Sequence, residues 1–181
     1  VVNSSLRSER ISLEKWHHSL GLVPQEVHIF NGTILENIIP GPNEEKVSRL
    51  LKMTSDFGLE PFIKSLPLEF ATMTGEDGIK LSGGQKQIIA FMRALINEPE
   101  LLLIDEGTSG MDRDTEALII NILTRIKGKI GVLLVTHRIS LIKRLCDRIY
   151  ILEDRTIKES GTHEELLAGN NLYRRFWDDF R

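Results

Sequence analysis

The sequence predicts an α/β fold built on a parallel sheet, and three segments carry this prediction. Glu100–Asp105 is a short, almost wholly apolar run, which is typical of a strand buried on both faces of a parallel sheet. Ile130–Thr136 is a second apolar run and predicts another parallel strand. Between residues 83 and 96, apolar side chains instead recur at the spacing of one helix face. Strands and helices that alternate in this way indicate the α/β class.

The composition is that of a globular protein with one domain, or with one domain and a subdomain. Its 181 residues carry a net charge of −3, which does not favour nucleic acid or anionic lipid as a bulk electrostatic partner. No apolar run is long enough to span a bilayer, and the N-terminus lacks the pattern of a signal peptide. The single cysteine, Cys146, lies in a predicted helix and is expected to be structural.

The first third of the chain predicts short elements joined by polar turns. Asn43 is a good N-cap, and it precedes a helical pattern that runs to about Thr54. Val1–Arg10 has the pattern of a strand end with a polar loop, and Ile11–His18 that of an amphipathic helix. Leu20–Val23 has the pattern of a strand, and Pro61–Ser65 that of a single helical turn.

Residues Leu81–Gln85 form a glycine-paired turn that opens the helical segment. Ser82 and Gln85 have the spacing of a capping box, so an ordinary capped helix would explain both. It would not explain Gly83 and Gly84, because two glycines weaken the first turn. Glycines let another surface approach the backbone, and a helix N-terminus attracts anions. The turn is therefore a candidate phosphate-binding site as well as a cap.

The first apolar run ends in two carboxylates, Asp105 and Glu106. Ligands of open α/β sheets bind beyond the carboxyl ends of the strands, so these side chains are candidates for chemistry. The alternative is a solvated pair of acids that ends a strand, and for the pair in isolation this would be the better interpretation.

Asp112 and His137 are further candidates, each with a structural alternative. Asp112 is a good N-cap for a predicted helix that runs to about Lys127, and this role alone would explain it. His137 follows the second apolar run, where a lone histidine is usually structural or exposed. The remaining C-terminal elements are a helix, a hairpin that turns at Asp154-Arg155, a short helix behind a Thr162/Glu165 capping box, and a terminal helix. They are predicted at Ile139–Asp147, Arg148–Glu153 with Thr156–Glu159, Glu164–Ala168 and Leu172–Arg181.

Together these motifs resemble those of an ATP-binding cassette (ABC) ATPase of the exporter type. Leu81–Gln85 is similar to the signature motif of the family, and the run that ends at Asp105-Glu106 resembles its Walker B strand. The segment Leu22–Ile38 is similar to the Q-loop region of ABC exporters, and Thr72–Gly78 resembles the Thr-x-x-Gly-Glu-x-Gly loop before the signature. The resemblance covers nearly the whole chain, from about Ile11 to Leu167.

Two further motifs lie downstream of the Walker B strand. Thr136-His137-Arg138 matches the switch histidine motif. Ser109-Gly110-Met111-Asp112 stands where the family usually has Ser-Ala-Leu-Asp, a departure that bears on the geometry of this turn, the D-loop.

The resemblance implies a role for each candidate residue. In the family, the Walker B aspartate supports Mg²⁺, the following glutamate polarises the attacking water, and the Q-loop glutamine reaches both. The switch histidine holds the γ-phosphate, the signature binds a nucleotide held by a second subunit, and the D-loop aspartate crosses the dimer interface. The residues so implied are Glu106, His137 and Gln25 for catalysis; Ser82, Gly83, Gly84 and Gln85 for the nucleotide in trans; Asp112 for the D-loop; and Asp105 and Gln25 for Mg²⁺.

The resemblance also implies a fold, cofactors and partners. The expected fold is a P-loop NTPase (RecA-like) ABC core with an inserted α-helical subdomain. Residues 1–31 would form part of the catalytic core up to the Q-loop, 32–97 the helical signature subdomain, and 98–181 the rest of the core. The implied cofactors are ATP and Mg²⁺. The implied partners are a transmembrane domain of the same transporter and a second nucleotide-binding domain, at the cytoplasmic face of the cell membrane, with no nucleic acid.

One motif of the family does not occur in the sequence, the phosphate loop Gly-x-x-x-x-Gly-Lys-Ser/Thr. Gly128-Lys129 lacks the upstream glycine and leads into a predicted strand. Because the phosphate loop of the family precedes the Q-loop, we expect this chain to be an N-terminally truncated part of a nucleotide-binding domain. Alone, it is expected to bind ATP very poorly and not to hydrolyse it.

The function implied is ATP binding and hydrolysis that power export of a substrate across a membrane. One alternative is a soluble ABC ATPase of DNA repair or translation, a class that lacks this Q-loop context and usually carries long insertions. Another is a non-catalytic regulatory module, against which the intact Glu106 and His137 argue. The motifs leave open whether the cargo is a peptide, lipid, drug or toxin, and whether the parent is a homodimer or a heterodimer.

Overall fold

A computed structural model describes residues 12–75, 81–106 and 111–179. The expected strand end at Val1–Arg10 and the acidic part of the loop Thr72–Gly78 lie outside the described residues. The chain divides into two compact units, Val1–Val135 and Thr136–Arg181, which are described one at a time. No helix within the described ranges is both long enough and apolar enough to cross a membrane.

The first unit contains a three-stranded parallel sheet and six α-helices among its described residues. The strands are β1 (Leu20–Val23), β2 (Leu101–Asp105) and β3 (Gly131–Val135), and β2 lies in the middle. The helices are α1 (Leu13–Ser19), α2 (Ile34–Ile38), α3 (Glu44–Phe57), α4 (Glu60–Lys64), α5 (Gly83–Leu95) and α6 (Arg113–Ile126), with a 3₁₀ turn at Glu69–Ala71. These positions confirm the predicted parallel strands and the helix that follows the glycine pair.

Helix α5 is the centre of the first unit. The predicted apolar stripe, Ile88, Ile89, Met92, Leu95 and Ile96, is buried throughout. The helix packs on β1, α2 and α6, which explains why almost every face of it is covered.

The contact between α5 and β1 is close at Gly21. A Cβ atom at this position would lie 2.7 Å from the carbonyl oxygen of Ala94, so only glycine allows the helix to lie this near the strand.

The opposite face of the sheet is partly open. Because the strands pair in register, Leu22, Leu103 and Leu133 lie side by side on this face. Leu22 is 59% exposed and Leu133 is 53% exposed. The prediction that the strand at residues 100–105 is buried on both faces was therefore wrong for one face. Leu102 and Ile104 are buried, but Leu103 on the open face is only half-buried.

Helices α2 and α3 begin at side-chain caps. Asn43 accepts the backbone N–H of Lys46 at 2.9 Å, which confirms the predicted cap. Helix α3 runs three residues beyond the expected Thr54, to Phe57. Gly58 caps its C-terminus, with a φ of 68° in the left-handed region. Thr33 begins α2 through a capping box that the sequence analysis did not identify.

The second unit contains helices α7 (Ile139–Leu145), α8 (His163–Ala168) and α9 (Leu172–Asp179) and the antiparallel hairpin β4 (Ile149–Glu153) and β5 (Thr156–Gly161). The hairpin turns where predicted, at Asp154-Arg155, both with positive φ. Helix α7 ends two residues earlier than expected, so Cys146 caps the helix and does not lie within it. The core of the unit is formed by Ile149, Leu166 and Tyr173.

Candidate active site

Gln25 and Glu106, which are 81 residues apart in sequence, form a hydrogen bond at the edge of the sheet. Gln25 lies two residues after β1, and Glu106 directly follows β2. These two strands are parallel neighbours, so their carboxyl ends meet at the same edge. The Gln25 Nε2 group donates to Glu106 Oε2 at 2.9 Å. The structure thus brings together two of the residues that the sequence analysis assigned to catalysis.

The backbone of Glu106 has a conformation that is uncommon for a non-glycine residue. Its φ is 47°, in the left-handed region, which costs of order 1–3 kcal/mol. A hydrogen bond from its N–H to the carbonyl oxygen of Val135, at 2.9 Å, anchors it to β3. Glu69, Glu98, Asp154 and Arg155 also have positive φ, so it is the contact with Gln25, and not the backbone angle, that supports Glu106 as a site residue. Its neighbour Asp105 is the last residue of β2 and is exposed.

The backbone of Gln25 is held by the buried side chain of Gln87 on α5. Gln87 Nε2 donates to the carbonyl oxygens of Gln25 at 3.0 Å and of Pro24 at 3.4 Å. The sequence analysis did not identify Gln87. The available signal was a polar residue directly before the buried Ile88 and Ile89.

A second side chain of α5, Arg93, binds the far end of the loop that follows Gln25. Its Nε donates to the carbonyl oxygen of Asn37 at 2.7 Å, and one of its terminal nitrogens donates to that of His28 at 3.1 Å. Burial lowers the pKa of the Arg93 guanidinium from its ordinary value. Asn37, which is fully buried, closes the loop by binding the backbone N–H and carbonyl of Phe30. The sequence analysis also missed Arg93 and Asn37.

The glycine-paired turn begins α5 as a capping box. Ser82 Oγ accepts the N–H of Gln85 at 3.2 Å, and Gln85 Oε1 accepts the N–H of Ser82 at 3.0 Å. The predicted cap is therefore confirmed. Within the described ranges, no hydrogen bond from the backbone N–H of Gly83 or Gly84 is seen, as is usual for the first turn of a helix.

The two glycines have different surroundings. A Cβ atom on Gly83 would have no described neighbour within 4 Å. A Cβ atom on Gly84 would lie 2.8 Å from Oγ1 and 2.9 Å from Cγ2 of Thr115 on α6. Gly84 is therefore required by packing inside the chain, whereas Gly83 leaves open space in front of the helix start.

Asp112 caps α6, as predicted. Its Oδ1 accepts the N–H of Thr115 at 2.9 Å, and its Oδ2 accepts the hydroxyl of the same residue, also at 2.9 Å. The bonds from Thr115, the backbone N–H first, lower the pKa of the Asp112 carboxyl below its ordinary value. Thr115 thus links the cap of α6 to Gly84 at the start of α5.

His137 belongs to the second unit and is exposed. It lies in a tight turn, in which the hydroxyl of Thr136 accepts the N–H of Arg138 at 3.0 Å.

The edge of the sheet carries side chains of the types that bind a magnesium ion shared with a phosphate ligand. Mg²⁺ usually binds one or two protein carboxylates together with water and substrate phosphates. Asp105 supplies an exposed carboxylate, and Gln25 has its Oε1 available because Nε2 makes the bond to Glu106. Across the described part of the chain, no group of three or more His, Cys, Asp or Glu side chains could hold a metal ion.

Two cavities lie away from this edge of the sheet. They measure about 240 and 420 Å³ and are both lined by residues of α3 and by the C-terminal end of α6. Gln25 is exposed and Glu106 is half-buried, so a ligand can reach the pair from solvent.

The sequence matches the family model described as ABC transporter over residues 2–109. The chain is 36% identical over 175 residues to human ATP-binding cassette sub-family B member 5, covering 96% of this chain and 14% of that protein. It is 38% identical over 179 residues to the probable multidrug resistance ABC transporter ATP-binding/permease protein YheI of Bacillus subtilis, covering 98% of this chain and 30% of that protein.

A solved structure of a bacterial Atm1-family ABC exporter with ATP bound is also similar. The two align with a TM-score of 0.82 and 33% identity, over 92% of this chain and 29% of the exporter chain. The chain thus spans between about a seventh and somewhat less than a third of the length of these relatives.

Proposed function

Since the chain belongs to the ABC transporter family, we propose that it forms the part of an exporter ATPase domain that activates water for ATP hydrolysis. The observation that carries the proposal is the 2.9 Å hydrogen bond between Gln25 and Glu106 at the carboxyl ends of two adjacent parallel strands.

The proposed chemistry begins at Glu106. A general base acts on a water within hydrogen-bond reach, and the Glu106 carboxylate, oriented by Gln25, is placed to polarise one. Asp105 and Gln25 Oε1 would hold Mg²⁺, which neutralises charge on the phosphate oxygens when bound. His137 would hold the γ-phosphate. Catalysis of this kind consists largely of positioning and charge stabilisation.

The start of α5 is proposed to bind a nucleotide held by a second nucleotide-binding domain. The helix N-terminus favours an anion, and the open space beside Gly83 lets a phosphate approach the backbone. Ser82, Gly84 and Gln85 complete this surface, and Asp112 would lie at the interface of the two domains. Residues 1–31 and 98–181 are proposed to belong to the catalytic core, and residues 32–97 to the helical signature subdomain.

The whole transporter is proposed to export a substrate, with this chain at the cytoplasmic face of the cell membrane. Several similar proteins are named as multidrug transporters, including the Bacillus subtilis protein described above and the multidrug transporter mdr1 of Aspergillus fumigatus. The proposed partners are a transmembrane domain and a second nucleotide-binding domain. The relatives described above are named as ABC transporters or exporters, which favours the exporter over the soluble and regulatory alternatives.

The test is ATP hydrolysis by the transporter polypeptide that carries this chain, measured with Mg²⁺ in lipid vesicles and after removal of lipid. Activity that depends on the lipid environment is expected of an exporter. Full activity of a membrane-free protein, with no vesicle association, would instead support a soluble ABC ATPase.

The 181-residue chain alone is proposed to be inactive, since its sequence contains no phosphate loop. A calorimetric titration with Mg-ATP is expected to show no saturable binding. Saturable, magnesium-dependent binding at micromolar concentration would contradict this proposal and require a second phosphate site within these residues.

A further inference from the structure

Gln87 is a buried polar residue to which the proposed chemistry assigns no role. Its side chain is 7% exposed. Its Oε1 has no hydrogen-bond partner among the described residues, although an unpaired buried acceptor is destabilising. The orientation of the amide follows from its surroundings, because the reverse orientation would set Oε1 against the carbonyl oxygens of Pro24 and Gln25.

We propose that Gln87 is a positioning residue that fixes the backbone at Gln25, so that the Gln25 side chain reaches Glu106. The inference rests on the proposed function and extends it to a residue of the signature helix. Hydrogen bonds thus hold both the backbone and the side chain of Gln25. Its carbonyl oxygen accepts from Gln87 at 3.0 Å, and its side-chain amide donates to Glu106 at 2.9 Å.

No other described side chain holds the backbone at this point. Pro24 and Gln25 follow the end of β1 and form no strand pairing, so the strand ladder does not restrain them. Arg93 binds the same loop, but at His28, three residues further along the chain. Among the side chains that the structure describes, Gln87 is thus the one that restrains the Gln25 backbone by hydrogen bonding.

Gln87 also ties the two halves of the proposed site together. It lies five residues after Ser82 on the same helix, about 7.5 Å along the axis. The start of α5 and the backbone at Gln25 are thus joined through one helix.

The test uses Gln87→Met, which keeps the length and the buried volume of the side chain and removes the donor. The matched control is Asn121→Ala. Asn121 Nδ2 donates to the carbonyl oxygen of Phe57 at 2.8 Å, joining α6 to the end of α3 across 64 residues, and does not contact the loop at Gln25. Gln87→Leu is the second variant in case the methionine variant does not fold.

The first readout is the NMR resonance of the Gln25 side-chain amide in the 181-residue chain. Glu106→Ala gives the position of this resonance without the hydrogen bond. We expect Gln87→Met to move the resonance to the Glu106→Ala position, and Asn121→Ala to leave it unchanged. A resonance that stays at its wild-type position in both Gln87 variants would overturn the proposal.

The second readout is ATP hydrolysis by the transporter polypeptide. Misplacing a reacting group by about 1 Å can lower a rate by roughly a hundredfold, so we expect Gln87→Met to lower kcat by about ten- to a hundredfold. The KM for ATP is expected to stay within about threefold, because ATP binding does not use this residue. A kcat that matches that of Asn121→Ala would contradict the positioning role. A wild-type transporter without ATPase activity would refute the proposed function. The NMR readout would still show whether Gln87 positions the Gln25 side chain against Glu106.

Discussion

Glu106 obtains its position from a backbone conformation that non-glycine residues seldom adopt. Glu106 directly follows β2 and has a φ of 47°. Its N–H donates to the carbonyl oxygen of Val135 on β3, and its side chain accepts a hydrogen bond from Gln25, which follows β1. Three neighbouring strands thus determine the place of one carboxylate. At the scale of single residues, such contacts also distinguish the two glycines of the turn at Leu81–Gln85.

Gly84→Ala and Gly83→Ala are predicted to have opposite effects on stability. The added methyl group at Gly84 would overlap the Thr115 side chain, and overpacking of this kind typically costs about 1–3 kcal/mol. At Gly83 there is no such neighbour, so the better helix propensity of alanine is expected to add up to about 1 kcal/mol. Urea denaturation measures both values.

The Thr115→Ala background is the control for this pair. It removes the two Thr115 atoms nearest to the added Cβ, so Gly84→Ala is expected to lose most of its cost there. Equal effects of the two glycine substitutions on the free energy of unfolding would show that Gly84 is not restricted by this contact.

At the scale of elements, side-chain caps begin several of the helices, whereas α4 and α7 have no such cap. Capping boxes begin α2, α5 and α8, and Asn43 and Asp112 begin α3 and α6. Two of these capping motifs contain a carboxylate bound by threonine, Asp112 at the start of α6 and Glu36 in the capping box of α2. Glu36 accepts the N–H and hydroxyl of Thr33, and these bonds, the backbone N–H first, lower the pKa of the Glu36 carboxyl.

Acid is therefore predicted to destabilise the first unit. The pKa values of Glu36 and Asp112 are lower in the folded chain than their ordinary values of 4.5 and 3.8, so the unfolded chain binds more protons in this range. Their contribution is present above the ordinary values and is lost as the pH falls through the lowered ones. The measurement is the free energy of unfolding by urea between pH 6 and pH 3.

The double variant Glu36→Gln, Asp112→Asn is the control for the acid prediction. Since neither replacement titrates, the fall in stability with decreasing pH is expected to be shallower. An unchanged slope would assign the acid sensitivity to other carboxylates.

At the scale of the whole molecule, the open face of the sheet is an exposed apolar surface of the first unit. Leu22 and Leu133 are more than half exposed on it and flank Leu103. Large exposed apolar patches drive association. The 181-residue chain is therefore predicted to self-associate with increasing concentration, as measured by sedimentation velocity.

The variant Leu22→Thr, Leu133→Thr is expected to reduce this association, because threonine keeps strand propensity and lowers the apolar area. The control is Leu152→Thr on β4, where the side chain is 71% exposed but belongs to the second unit. A control that reduces association as strongly as the double variant would refute a role for the sheet face.

Much of the fold was predictable because its signals are local. The apolar runs of β2 and β3, the caps at Asn43, Ser82 and Asp112, and the hairpin turn at Asp154-Arg155 each depend on a few neighbouring residues. The family resemblance implied that Gln25 and Glu106 act on the same water, but the hydrogen bond between the two side chains was not predicted.

The contacts that the sequence did not reveal join distant segments. Gln87 binds a carbonyl 62 residues away, and Arg93 binds one 65 residues away, so no local pattern marks either bond. The packing of Gly84 on Thr115 and the left-handed conformation of Glu106 likewise depend on tertiary structure.

The rate of ATP hydrolysis by the transporter polypeptide carrying Glu106→Gln tests the central claim most directly. The amide keeps the size of the side chain but cannot act as a base, and positioned general bases contribute about 10²- to 10⁴-fold. We predict a loss of hydrolysis of at least about a hundredfold with ATP binding retained, while Glu153→Gln, which changes a carboxylate at the end of β4, keeps the wild-type rate. Hydrolysis by the Glu106→Gln protein within about twofold of the wild type would contradict the assignment of Glu106 and the account of the site.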